Sequence, residues 1–285
     1  MSATQLFDVP GPRARARHRI AAAIGLAAFG GLLAWVIWRL IAEEVFTVEV
    51  FQDFFQSNIF NALGDGLVGT LTAAAAAIAL SVVAGALLAI ARLSDHAWVR
   101  WPATVFVEFF RAVPLLMLIV FLFLAYSTTL GTYWCLVFAL MLYNGAVLAE
   151  VFRAGIKAVP RGQSEAAYGV GMRKNQVMRL VLLPQAVTIM LPAIISQCVV
   201  VLKDTALGVW IAYGDLVFQG KIIAQFIDSN IVTFIFIALI FIAINYSLSR
   251  LAIYVERRMA RRGHSTVKPA ADVDPGRLMD QGSGG

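Results

Sequence analysis

The side chains of this chain that could bind or react fall in two places. One is a polar segment, GQSEAAYGVGMRKNQVMRLVLLPQ (Gly162 to Gln185), set between two of the most apolar stretches of the sequence. It carries Glu165, Arg173, Lys174, Asn175, Arg179 and three glutamines, Gln163, Gln176 and Gln185. The other is a set of polar groups inside apolar runs: Thr70, Thr72, Asn144, Gln197 and the consecutive Lys203, Asp204 and Thr205. These residue types hydrogen-bond and pair charges. No HExxH, GxSxG or paired aspartates within an apolar run supplies a catalytic constellation. No GxxxxGK[ST] cradle is present for nucleotide phosphates. Cys135 and Cys198 stand far apart in apolar runs and read as small buried hydrophobes, and His18, His96 and His264 are scattered. The chemistry on offer is recognition and coupling rather than bond-making.

The elements that hold these groups are set by composition. The 285 residues are 60% hydrophobic and only 14% charged, with mean hydropathy +0.79, against roughly 25% charged residues in soluble domains. That balance argues for an integral membrane protein, and its apolar runs make it all-α. About 20 apolar residues cross a bilayer core as helix, and six candidate transmembrane helices are legible, at 20–42, 66–91, within 103–127, 133–152, 178–202 and 231–255. The first is too long for a secretory signal and lacks a cleavage site, so it reads as a retained anchor. An even number of spans puts both termini on one side. Nineteen of the 23 Lys and Arg fall on that side, the other four being Arg39, Arg111, Lys203 and Lys221; the positive-inside rule makes it cytoplasmic.

The second span is rich in Ala, Gly, Ser and Thr, which lets helices approach closely and places it centrally in a bundle. The stretch 45–62 alternates aromatic and polar residues, as an interfacial helix or as an outer loop packed on the bundle. Glu108 and Arg111 share a helix face at i, i+3, with Pro114 breaking the helix beyond them: a gate or hinge, or a salt bridge at the interface. Pro184 and Pro192 interrupt the fifth span, which marks it as a discontinuous helix lining a cavity. The region 203–230 is too apolar for a free loop and too broken for a span, and reads as a re-entrant or gate segment on the outer side.

The polar segment follows the fourth span and is therefore cytoplasmic. Helix formers run from Gln163 to Ala167, Gly169 and Gly171 break the run, and helical residues resume at Met172. A short amphipathic helix of this kind suits a groove on another protein. Its residues reproduce a longer pattern: Glu165, Ala166 and Ala167, then Gly171, then Val181, Leu183 and Pro184. This resembles the EAA motif of ABC importer permeases. Neighbouring words, FFRAVPLL, NGAVLAEVFRAGIKAVPRGQSEAA and LKDT, are similar to the polar amino acid permeases of the histidine, glutamine and glutamate type, over about residues 60–255. The N-terminal FDVPGPRARAR with its extra span looks like the glutamate permease subunits of actinobacterial systems. Departures stand at Val181 in place of Ile, at Ala206 in place of Ser, at Val147 in place of Tyr, and at Asp215-Leu216 where the family has Glu-Leu.

The resemblance implies a type I ABC importer permease: a five-helix core over 66–255 plus one N-terminal helix at 20–42, a basic tail at 1–19, an outer loop or interfacial helix at 43–65, a coupling loop at 158–177 with a cytoplasmic coupling helix, and a basic then disordered tail at 256–285. It implies a multi-pass protein of the bacterial plasma (inner) membrane that is not itself an enzyme. Its partners would be a second homologous permease in a heterodimer, two ATPase subunits, an extracellular or periplasmic amino-acid-binding protein, the lipid bilayer and an amino acid substrate, with no nucleic acid. The chain would hold no cofactor, with ATP and magnesium in the ATPase. Gly162, Gln163, Glu165, Ala166, Ala167 and Gly171 would couple to that ATPase. Thr70, Thr72, Asn144, Gln197, Lys203, Asp204 and Thr205 would line the substrate path, and Glu108, Arg111, Pro114, Pro184 and Pro192 would form gates or hinges. Glutamate leads as substrate, with aspartate, glutamine or a basic amino acid as alternatives. A stand-alone secondary transporter is the rival class, but it leaves the EAA segment without a purpose.

Overall fold

The computed structural model describes residues 11–263, all in helices and short connections. In order these are α1 (Pro12–Ala42), α2 (Val48–Phe54), α3 (Ser57–Arg92), α4 (Ala97–Ala112), α5 (Leu115–Ala158), α6 (Arg161–Gly169), α7 (Lys174–Gln176), a π-helical turn (Val177–Leu182), α8 (Leu183–Asp204), a 3-10 turn (Thr205–Ile211), α9 (Leu216–Phe226) and α10 (Asn230–Gly263). Five helical segments are long and apolar enough to cross a membrane. The fourth expected span and the apolar core of the third both fall in α5, whose 44 residues are broken at Gly131, while the start of the 103–127 range lies in α4. Gly131 has φ +73, a conformation open to glycine at little cost. The two limbs fold back on each other there: the Cys135 thiol lies 3.5 Å from the Leu122 carbonyl, although thirteen residues of straight helix would separate them by about 20 Å.

Several boundaries differ from those read in the sequence. α1 begins at Pro12, so part of the expected basic tail is helical, because Pro is favoured in a first turn. Residues 57–65, expected in the outer loop, open α3, and α10 continues past 255 to Gly263. The rest of the expected C-terminal tail, 264–285, lies outside the described residues.

The chain divides into two compact units. The first, among the described residues 11–61 and 220–236, contains an aromatic cluster. Phe54 is buried and stacks on Phe236 with ring centroids 4.2 Å apart, and Phe51 and Phe55 meet Phe236 edge-on. α2 is thus a packed element, capped by the Thr47 hydroxyl, which accepts from the Val50 N–H at 3.4 Å.

The second unit, among the described residues 62–219 and 237–263, carries the candidate site. Its core joins Ala73 and Ala77 of α3 to Ile119, Leu136, Val137 and Leu140 from both limbs of α5, with Val201 of α8. Lipid tails are as apolar as these side chains, so close packing rather than water exclusion holds such a core. α3 supplies small residues for it: a Cβ on Gly85 would stand 2.8 Å from the Leu148 Cβ and 3.0 Å from the Gly145 carbonyl oxygen. The central position inferred for the second span is the observed one.

Candidate functional site

The EAA segment folds as one short helix and a fixed turn. Pro160 precedes α6 with an extended ψ of 133°, so the chain turns sharply out of α5. The Ser164 hydroxyl donates to the Arg161 carbonyl at 2.8 Å. At the other end the Met172 N–H donates to the Ala167 carbonyl (3.1 Å) and the Gly171 N–H to the Tyr168 carbonyl (2.9 Å). This pair of bonds, with Gly171 at φ +83, is a Schellman cap. A Cβ at Gly171 would meet no atom within 4 Å, so backbone conformation and not space requires glycine there. Helical structure resumes at Lys174 rather than Met172, since the cap occupies the intervening residues.

Two side-chain ties hold this loop. The Gln163 carbonyl oxygen accepts from the Gln185 amide at 3.3 Å, and the same amide donates to the Val181 carbonyl at 2.9 Å. Lys174 pairs with Asp95 in the connection between α3 and α4; its hydrogen bond holds the Asp95 carboxyl below the usual carboxylate range. Ala167 is buried against the body. Gly162, Gln163, Glu165 and Ala166 are exposed, as are Tyr168 and Val170, and Glu165 has no hydrogen-bond or ion-pair partner among the described residues. The helix presents an acidic and apolar face that nothing in the described chain covers.

A charged cluster lies at the ends of α3, α4 and α5. Arg92, the last residue of α3, donates from Nη1 to Glu150 Oε2 at 2.8 Å and from Nη2 to Glu108 Oε1 at 3.1 Å. Arg111 reaches Glu108 at 3.6 Å, and the Arg153 Nε donates to Glu150 at 3.0 Å. The Glu108–Arg111 pair read in the sequence is therefore the edge of a five-residue network centred on Arg92, whose side chain is only 7% exposed. Sequence reasoning counted Arg92 merely as a loop charge. Its signal was position: it continues the buried stripe of Ala77, Ser81 and Gly85 at helical spacing. Pro114 sits between α4 and α5 and separates them outright. Pro184 opens α8 directly after the π-helical turn, whereas α8 continues through Pro192.

The polar groups expected along a path are not one cluster. Asn144 and Gln197 meet: the Gln197 amide donates to the Asn144 Oδ1 at 2.6 Å, and the Asn144 amide donates to the Leu140 carbonyl at 3.0 Å. Asp204 faces the same Asn144. Lys203 turns to the other side of α8, into an open groove of about 640 Å³ shared with Ala206 and with Phe241, Asn245, Tyr246 and Ser249 of α10. Asn245 and Ser249 escaped sequence reasoning, although two polar residues at i, i+4 in an apolar span are a legible signal. The Asn245 Oδ1 is buried with no hydrogen-bond partner among the described residues.

Thr70 serves the fold. Its hydroxyl donates to the Gly66 carbonyl (2.9 Å) and accepts from the Leu216 N–H (3.0 Å). The Asp215 Oδ1 caps the start of α9 by accepting from the Phe218 N–H at 2.7 Å, and the Tyr213 hydroxyl donates to the Gly69 carbonyl at 2.9 Å. Within the segment expected to be re-entrant, a 3-10 turn leads into residues 213–216, which are bonded to α3, and then into the helix α9. Thr205 is buried and donates to the Leu202 carbonyl at 2.7 Å, while Thr72 is exposed and donates to the Val68 carbonyl at 2.8 Å.

A helical bundle with a small-residue central helix, an exposed helix–turn between two spans and polar groups within apolar spans is an architecture suited to a membrane transport subunit. The comparisons give the same class. The family described as binding-protein-dependent transport system inner membrane component matches residues 78–261, and this chain belongs to it. It is 42% identical over 214 residues to the glutamate transport system permease protein GluD of Corynebacterium glutamicum, covering 73% of this chain and 78% of that protein. It is 32% identical over 207 residues to the glutamate/aspartate import permease protein GltK of Escherichia coli, covering 69% of this chain and 92% of that protein. A crystal structure of an amino acid ABC transporter with histidines contains a chain that superposes with TM-score 0.67 at 30% identity, over 70% of this chain and 95% of that one. The inward-facing MetNI methionine ABC transporter, at 20% identity and TM-score 0.63, shares the fold. The chain is a membrane-spanning permease subunit of an amino acid ABC importer, a family that works with ATPase and binding-protein partners.

Proposed function

We propose that this permease carries glutamate inward in a complex with a second, homologous permease, two ATPase subunits and an external binding protein. Both termini and the α6 loop face the cytoplasm, as the bias of basic residues favours. ATP and magnesium bind the ATPase, and closure of that partner is passed to the spans through α6 and the ties at Gln163–Gln185 and Lys174–Asp95. Glu165, Ala166 and the neighbouring exposed residues enter a groove on the ATPase, with Gly171 fixing the turn. Asn144, Gln197 and Asp204 lie on one side of α8 and Lys203 on the other. Lys203 offers the donor for a carboxylate from its groove, while Asn144, fully buried with both ends of its amide bonded, bears on the path only through Gln197 and Asp204, the latter an acceptor for an ammonium. Glu108, Arg111, Pro114, Pro184 and Pro192 mark the places where helices rotate against one another.

One observation carries this reading: a short helix bearing the EAA residues with an uncovered face, in a chain 42% identical over 214 residues to a glutamate permease. The test is uptake of labelled amino acids by a strain lacking this gene, with and without the gene restored. Restored glutamate uptake, competed by aspartate more than by glutamine or arginine, is the expected result. Competition in the opposite order would assign another substrate.

A further inference from the structure

Beside the coupling loop lies a cleft of which the transport reading uses only the Lys174–Asp95 tie. It has a volume of about 450 Å³ and is bounded by the end of α3, the connection to α4, and the segment leading into α8. Its walls are apolar, from Ile90 and Leu93 of α3, Ile156 of α5, and Met178 and Leu183. Its polar lining holds two cations, Lys174 and Arg179, with Ser94, His96 and Asn175, against the single acid Asp95. Asp95 is already bonded to Lys174, and Arg179 has no acidic partner among the described residues. The flanking surface is of the kind that faces lipid. Ile90 and Leu180 are each 67% exposed, and Trp98 and Trp101, on the first turns of α4, are exposed as indoles at a headgroup layer are.

We propose that this cleft binds an anionic phospholipid of the cytoplasmic leaflet. The phosphate sits against Arg179 and Lys174, and an acyl chain runs along Ile90, Leu93, Met178 and Leu183. The occupant must join an anionic head to a long apolar stem. An acidic side chain of a protein partner has one or two methylenes and would leave most of that wall bare. Basic clefts between spans at the cytoplasmic face suit anionic lipid heads. A lipid there would brace the π-helical turn beside the coupling loop. The leaflet assignment rests on the orientation proposed above.

The test is native mass spectrometry of the complete purified transporter, intact by size-exclusion chromatography, with added phosphatidylglycerol or phosphatidylcholine. The wild type should retain phosphatidylglycerol in preference to phosphatidylcholine. K174Q and R179Q should each weaken retention about fivefold, the factor that ~1 kcal/mol per basic residue gives. R173Q, on the same loop but outside the cleft, should not. Equal retention by wild type and the K174Q/R179Q pair would overturn the proposal. So would displacement of the lipid by inorganic phosphate alone, or crosslinking of a cysteine at Arg179 to the ATPase, which would make the cleft a protein dock. Lipid retention is read without transport, so a different substrate leaves this result unchanged. A wrong orientation shows separately, as labelling of a cysteine at Ser164 from outside intact cells.

Discussion

Replacing Arg92 with methionine keeps most of the side-chain volume and deletes the charge that joins three helices. The cost can be worked from the contacts. Glu108 is 56% exposed and keeps Arg111 at 3.6 Å. Its contact with Arg92 is a surface pair, worth ~0.2–1 kcal/mol. Glu150 is 26% exposed and bonded to Arg92 at 2.8 Å. A hydrogen bond between charged groups is worth about 1.5–3 kcal/mol, and partial hydration together with the retained Arg153 contact lowers that share. Breaking a fully buried pair costs about 3–5 kcal/mol because it strands a charge, but Glu150 is not stranded here. The expected loss for R92M is therefore about 2 kcal/mol, most of it through Glu150. Denaturant unfolding in mixed micelles reads the total, and double-mutant cycles with E150Q and E108Q apportion it. A coupling of about 1–2 kcal/mol with Glu150 and a smaller one of ~0.2–1 kcal/mol with Glu108 is expected. A total below ~0.5 kcal/mol, or a larger coupling with Glu108 than with Glu150, would refute the reasoning.

Gly85→Val should destabilise the bundle by about 1–3 kcal/mol or prevent its assembly, because the new Cβ meets Leu148 and the Gly145 carbonyl; Gly64→Ala, with no atom within 4 Å of its Cβ, should be near neutral in the same unfolding measurement. Gly171→Ala should cost ~1 kcal/mol locally through its positive φ, leaving membrane insertion intact while lowering ATPase turnover coupled to transport. Lys203→Ala and Asn144→Ala should each raise the KM for uptake, Asn144→Ala the more, since it also leaves the Gln197 amide without its acceptor. Unchanged kinetics in both variants would remove these residues from the substrate path.

Residue patterning showed where the helices run, but not how they meet. The six apolar runs were legible because each is long enough to cross a bilayer. The central place of α3 was legible because small residues mark close approach. The reversal at Gly131 was not, because a glycine within an apolar run carries no sign of its φ. The short helix after the fourth span and its stop were legible, since Gly169 and Gly171 announce a helix end. Thr70 misled: from the sequence it is a hydroxyl facing a bundle, and only the packing of α9's first turn shows that the Leu216 N–H occupies it. Arg92 was missed for a related reason. Its two carboxylate partners lie 16 and 58 residues away, and local periodicity does not pair residues across such distances.

The account's central claim is that ATP-driven uptake passes through the exposed face of α6. It is tested most directly by Glu165→Lys in proteoliposomes holding the complete transporter, its ATPase and the binding protein. Labelled glutamate should accumulate with the wild type only when ATP is supplied. The variant should insert normally, lose its ATPase subunit on purification and lose ATP-dependent uptake. Normal uptake by Glu165→Lys, or glutamate accumulation by the lone chain under an ion gradient without any ATPase, would contradict the account.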